Sequence, residues 1–363
     1  MDDRVAAHAR ILVEHSIDAR PDDEVVVMAG PDTEPLVRAV YGLLGEIGAN
    51  VVHVRSDRAA LREYLRSHDT DGFETPDALV ALVEAADALV NIRGTRNTHE
   101  TSDVDPETMS AFGRARKPVS DGYQGKRFVI TQHPTPANAQ DAEMPTAAYE
   151  EFVWDAVDRD WEAQREFQSR IVERLESAQT VRVVSGADTD VSMDVSGMRV
   201  VNDDGRKNMP GGEVFTAPNP ATVEGTVLFD YPVLVQGREV SDARVVFEDG
   251  TIVEHAAETN EEALTGVLHT DEGASRLGEL GIGTNRRIDR FTKNMLFDEK
   301  MGGTVHLAVG RAIEETVPDD REGNDSAVHL DMLVDTTEDA RIEFDGETVQ
   351  RNGRFWFEDG FEE

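Results

Sequence analysis

Cysteine is absent from all 363 residues. That absence removes a disulfide framework, a thiolate metal site and a cysteine nucleophile together. Any metal must then be held by His, Asp, Glu or water, and the composition is the one expected of a reducing cytoplasm. Long apolar runs are missing too. None approaches the roughly 18 residues that a membrane span needs. The opening MDDRVAAHARILVEHS lacks an apolar core followed by a small-residue cleavage site, so no signal peptide is expected. Lysine is scarce, with 5 residues (Lys117, Lys126, Lys207, Lys293 and Lys300) beside 31 arginines. No basic stripe of the kind that nucleic acid requires is present, so that class of partner is excluded.

Acid dominates what remains. Seventy-three Asp and Glu against 36 Lys and Arg give a net charge of −37. The acids are spread along the whole chain, which is the pattern of a solvated surface. Self-repulsion on this scale works against the compact state at low ionic strength. Molar salt, with a Debye length of about 3 Å, removes most of it. Acid-rich, lysine-poor composition of this kind resembles proteins adapted to salt-accumulating cells. Hydrophobic content of 39% is enough for ordinary cores, and the length suggests two domains.

The first half alternates strand and helix signals. EVVVMAG (24–30), NVVHVR (50–55), DALVNIRG and KRFVITQHP (126–134) are short β-branched runs. Between them lie helical patterns such as DTEPLVRAVYGLLGEIGA and DRAALREYLRSHD. Such alternation predicts a parallel sheet covered on both faces. A helical pattern then runs from about Tyr149 to Ala178. Beyond it come short strands split by Gly and Asp, with EDG and FDG as hairpin turns. The fold expected is α/β, with an N-terminal parallel α/β domain over 1–175 and a β-rich α+β metal-binding catalytic domain over 176–363.

Four clusters in the second half carry ionisable groups inside apolar or glycine-rich surroundings. NMPGGEVFTAP (208–218) runs two glycines into Glu213. RLGELGIGTN (276–285) sets Glu279 among glycines. DEKMGGTVHLAVG (298–310) places His306 in a β-like run. GNDSAVHLDMLVD (323–335) holds His329 and Asp331 either side of Leu330. On a strand, residues i and i+2 point to one side, so His329 and Asp331 converge while Val328, Leu330 and Met332 pack behind them. Taken singly, each cluster is also consistent with a turn residue, a surface loop or a hydrogen-bonded core histidine. Together, two His, two Glu and one Asp match the ligand set of a dinuclear centre.

In this order the four clusters resemble the M29 metallo-aminopeptidases, the aminopeptidase T and aminopeptidase S group. The resemblance extends over most of the chain and is sharpest in NMPGGEVFTAP, DEKMGGTVHLAVG and NDSAVHLDM. It implies that Glu213, Glu279, His306, His329 and Asp331 coordinate two divalent ions, zinc or cobalt, with magnesium and manganese as alternatives. It implies hydrolysis of amino-terminal residues from peptides, with Glu213 or Glu279 as proton acceptor, and a homodimer. One departure stands out: the family carries a tyrosine seven residues after the histidine matched by His306, and that position is Ile313 here. Arg311 and Glu314 are the neighbouring candidates for a substitute. The rival readings are a mononuclear iron ring-opening dioxygenase of the same superfamily, and a relative that binds metal or peptide without turnover.

Overall fold

The computed structural model describes residues 2–123, 125–235 and 237–362. The chain divides into two compact units. One comprises Met1–Arg159 with Gly205–Gly211, the other Asp160–Asp204 with Gly212–Glu363. The change of texture read near residue 175 lies at the end of a helix that belongs to the second unit.

In the first unit the strands β1 (Glu24–Ala29), β2 (Asn50–Arg55), β3 (Ala88–Arg93) and β4 (Arg127–Gln132) form a parallel sheet in the order β2-β1-β3-β4, continued by the two-residue strand Asn208–Met209. Val25, Val26 and Val27 are all buried, as are Ala88, Leu89 and Val90. A run without alternation requires cover on both faces. The helices of this unit are α1 (Asp3–Arg10), α2 (Glu34–Ile47), α3 (Arg58–Ser67), α4 (Asp77–Ala85), α5 (Pro106–Asp121), α6 (Pro136–Asp141) and α7 (Thr146–Val157). Helix α2 buries Leu36, Val37, Ala39, Val40 and Leu44 along one stripe and stops at Gly48, whose left-handed φ of 90° caps it. The parallel α/β expectation is met.

The single helical pattern from Tyr149 to Ala178 is in fact two helices. Helix α7 ends at Val157 and α8 (Trp161–Ser177) starts afresh. The Asp160 carboxylate accepts from the amides of Glu162 and Ala163. An aspartate that satisfies these otherwise unpaired donors makes a new helix start at a position where hydrophobic periodicity alone runs on.

The second unit is strand-rich, as expected. Eight antiparallel strands lie in the spatial order Thr251–Ala256, Arg244–Glu248, Glu224–Leu228, Thr189–Asp194, Thr180–Ser185, Ala340–Phe344, Glu347–Arg351 and Arg354–Phe355. The EDG and FDG turns are tight hairpins, with positive φ at Asp249, Gly250, Asp345 and Gly346. A second antiparallel sheet contains β5 (Val201–Asp203), β6 (Glu213–Thr216), β7 (Leu277–Gly283), β8 (Thr304–Gly310) and β9 (His329–Asp335), in the order β9-β8-β7-β6-β5. Helices α9 (Glu261–Leu268) and α10 (Met295–Asp298) complete the unit.

The two sheets contribute to one buried cluster. Val181, Val183, Val191, Val227 and Phe247 come from the first, and Val214, Leu280, Ile282, Val305, Leu307, Val309, Met332 and Val334 from the second. In β7, β8 and β9 alternate residues therefore face this core. Period two fixes what faces the other way: Glu279, Gly281 and Gly283 on β7, His306, Ala308 and Gly310 on β8, and His329 and Asp331 on β9. The ligand candidates stand on a face whose other positions on β7 and β8 are small: Gly281, Gly283, Thr304, Ala308 and Gly310. Among the described residues no helix is long and apolar enough to cross a membrane.

Candidate metal centre

Strand register brings the five candidates together. Glu213 pairs with Gly283, Gly281 with His306, and Glu279 with Ala308, which in turn faces Asp331. Glu279 and Asp331 thus lie in one row across Ala308, with His306 two residues and Glu213 four residues along from that row. Their donor atoms fall into two groups, each within 4.8 Å: Glu213, Glu279 and His306, and Glu279, His329 and Asp331. Glu279 belongs to both. Its Oε1 lies 3.2 Å from His306 Nε2 and its Oε2 lies 3.5 Å from His329 Nε2. His329 Nε2 is also 3.4 Å from Asp331 Oδ1, and His306 Nε2 is 3.5 Å from Glu213 Oε2.

The rings are aimed from behind. His306 Nδ1 donates to the carbonyl of Glu299 at 3.1 Å, and His329 Nδ1 donates to the carbonyl of Arg311 at 2.7 Å. A backbone acceptor on Nδ1 fixes the tautomer that leaves Nε2 for a ligand. Glu213 is held similarly. Its Oε1 is 3.2 Å from the ammonium of Lys300, a residue with no exposed surface. Lys300 also pairs with Glu299 and lies 3.8 Å from Asp203.

Electrostatics follow from this crowding. Burial favours the neutral form of both imidazoles, but the carboxylates of Glu279, Glu213 and Asp331 around His306, and of Asp331 and Glu279 around His329, outweigh it. Both rings therefore hold protons well above the usual histidine range. Burial would raise the Asp331 carboxyl, yet His329, His306 and Lys300 bring it below its ordinary value. Burial pushes Glu213 up, with Lys300 opposing. The Lys300 ammonium is itself held above the lysine range, because Glu213, Glu299 and Asp203 outweigh its own burial. Protons here occupy positions that cations can take, so metal uptake releases them.

The donor set fits divalent metal. Glu213 Oε2 is buried with no hydrogen-bond partner, an arrangement that is costly unless something charged completes it.

All five residues expected from the sequence are assembled. Three contributors were not anticipated: Lys300, the Glu299 carbonyl and the Arg311 carbonyl. Lys300 did leave a signal, since it is one of 5 lysines in a chain that otherwise uses arginine. The Arg311 side chain is exposed, so its contribution here is the carbonyl behind His329. Ile313 is half-buried and precedes the short turn Glu314–Thr316, and Glu314 is exposed. The tyrosine position is therefore filled by a side chain that offers no hydrogen-bond donor.

Comparison with known proteins gives a consistent picture. The family model for thermophilic metalloprotease (M29) matches residues 1–355. Aminopeptidase 2 of Geobacillus stearothermophilus is 27% identical over 413 aligned positions, covering 97% of either chain. Aminopeptidase T of Thermus aquaticus is 36% identical over 151 residues, 38% of this chain and 36% of that one. Among solved structures, wild-type AmpT from Thermus thermophilus superimposes with a TM-score of 0.87 at 24% identity, over 98% of this chain and 99% of that one. The 2,5-dihydroxypyridine dioxygenase of Pseudomonas putida KT2440 superimposes with a TM-score of 0.64 at 15% identity, over 99% of each chain. At these identities the two structural likenesses concern the fold. The family match spans nearly the whole sequence and includes all five residues of the candidate metal centre: the chain belongs to the M29 family of thermophilic metalloproteases and is a metal-dependent hydrolase of peptide bonds.

Proposed function

We propose that the chain is an aminopeptidase in which Glu213, Glu279, His306, His329 and Asp331 hold two divalent ions, zinc or cobalt, with Glu279 shared between them. The observation that carries this reading is the pair of ligand groups joined through the two oxygens of Glu279. When bound, such a pair supplies Lewis-acid polarisation of a peptide carbonyl and brings the pKa of water toward neutrality. The chain's own residues do the rest. Glu299 and Arg311 hold the imidazoles by their Nδ1 atoms, and Lys300 holds Glu213 by Oε1. Glu213 then presents Oε2, an atom without a hydrogen-bond partner, on the side of His306 and Glu279, where it would meet the ion those residues hold.

Elemental analysis after dialysis in molar KCl, run beside hydrolysis of an aminoacyl-anilide, tests the reading. The expected result is two ions per chain together with release of the anilide. One ion per chain, as iron, would favour the ring-opening dioxygenase instead. No retained ion would remove the centre altogether.

The charge distribution extends the proposal to its setting, a salt-rich cytoplasm, and the family resemblance adds that the enzyme works as a homodimer. Taking KCl from molar to about 0.1 M lengthens the Debye length from about 3 Å to about 10 Å and restores repulsion among the excess acids. The melting temperature should fall over that range. A constant value would contradict adaptation to salt.

A further inference from the structure

Glycine in the middle of a buried strand weakens it, because it orders a freer backbone and packs nothing. Strand β7 nevertheless carries Gly278, Gly281 and Gly283, all in buried positions. For two of them the neighbour is backbone. A β-carbon on Gly278 would meet the Gly310 carbonyl at 2.2 Å, and one on Gly283 the Met301 carbonyl at 2.0 Å. At Gly281 the neighbour is a side chain. A β-carbon there would lie 1.9 Å from His306 Cε1, 2.2 Å from Nε2 and 2.7 Å from Nδ1. Gly281 and His306 are cross-strand partners, so the imidazole lies over the space that any other residue would fill.

We propose that Gly281 is a positioning residue: the missing side chain is the seat of the His306 ring, and it sets where His306 Nε2 meets an ion. The proposal rests on the reading of His306 as a metal ligand. The backbone itself does not demand glycine, because Gly281 is not among the positive-φ positions. Magnitudes decide what an added methyl group does. Carbon atoms in contact settle about 3.5–4.0 Å apart, so the ring must retreat by roughly 1.5 Å. Metal–ligand distances tolerate only about 0.2 Å. The ring cannot yield that far and still ligate, and its Nδ1 bond to the Glu299 carbonyl resists the displacement.

The test is Gly281→Ala, His306→Ala and the double variant, each examined for metal content, for calorimetric affinity toward cobalt, and for melting temperature after chelation. Gly281→Ala should retain one ion, that of Glu279, His329 and Asp331, and affinity at the other position should fall at least 10–100-fold, the range found when a ligand's support is removed. In the chelated protein Gly281→Ala should lower the melting temperature, and the double variant should recover it, because the ring that clashes is gone. Should the single variant fail to fold, the double variant must still fold. Two ions held at wild-type affinity by Gly281→Ala, or a double variant no more stable than the single one, would overturn the proposal. If the wild-type protein bound no ion yet the double variant recovered stability, the seat would stand and the assignment of His306 as a ligand would fall.

Discussion

Glu279→Gln should leave the protein folded, retain at most one ion per chain, and reduce anilide hydrolysis by roughly a hundredfold or more, since loss even of a residue supporting a ligand commonly costs 10–100-fold. Glutamine keeps the volume of Glu279 but offers one oxygen and an amide nitrogen that cannot ligate. The oxygens now 3.2 Å and 3.5 Å from the two imidazoles could no longer both serve. His329→Ala and Asp331→Ala provide the contrast. Each removes a group from one ligand trio, so each should lower the metal content from two toward one while also reducing turnover by about a hundredfold. Elemental analysis and circular dichroism on the same preparations separate metal loss from unfolding. A Glu279→Gln enzyme with two ions and undiminished turnover would show that Glu279 is not the shared ligand.

The second large effect concerns stability. Lys300→Met, measured on chelated protein in molar KCl, should cost about 3–5 kcal/mol, the range for removing one partner of a buried ion pair. Lys300 has no exposed surface, and it touches Glu213 and Glu299 and approaches Asp203. Methionine matches its length but removes the ammonium that these carboxylates share. For a unit of about 200 residues, each kcal/mol shifts the melting temperature by roughly 2–4 °C, so a decrease of the order of ten degrees is expected. Adding Glu213→Gln to Lys300→Met should recover part of it, because one uncompensated charge disappears. A shift of less than about 2 °C would mean that water reaches these carboxylates and does the work assigned to the lysine.

These expectations depend on features that were unequally visible in the sequence. The ligand strands were legible because their information is local. ELGIG, HLAVG and HLDM each alternate core residues with ligands or small residues, and period two projects that alternation onto faces without knowledge of the partner strand. The parallel sheet was legible for a similar reason: EVVVMA and ALVNIR are too uniformly apolar for a half-exposed strand. What remained hidden depends on register between distant segments. Gly281 and His306 are 25 residues apart in number, and only pairing shows that one makes room for the other. Lys300 reaches Glu213 across a separation of 87 residues. The Arg311 carbonyl could not be chosen from its side chain, which reads as a charge and acts through its backbone. The break between α7 and α8 was missed because periodicity continues through it, whereas Asp160 supplies a cap that periodicity does not record.

The proposed ligands stand on four consecutive strands of one sheet, β6, β7, β8 and β9. Ions bound there would act as cross-links between strands that are otherwise joined by backbone hydrogen bonds and packing. Because an unfolded chain presents no such arrangement, occupancy and folding are linked by mass action. Each site filled at a hundred times its dissociation constant contributes about 2.7 kcal/mol, a large share of the 5–15 kcal/mol that a typical protein has in total. On the proposed reading, free divalent ion would be a second solute, alongside monovalent salt, whose concentration sets how much of this acidic chain is folded. The two would act at different ranges: salt would relieve the diffuse repulsion of the whole surface, and divalent ions the concentrated repulsion of one sheet face. Scarcity of either makes the chain more dependent on the other.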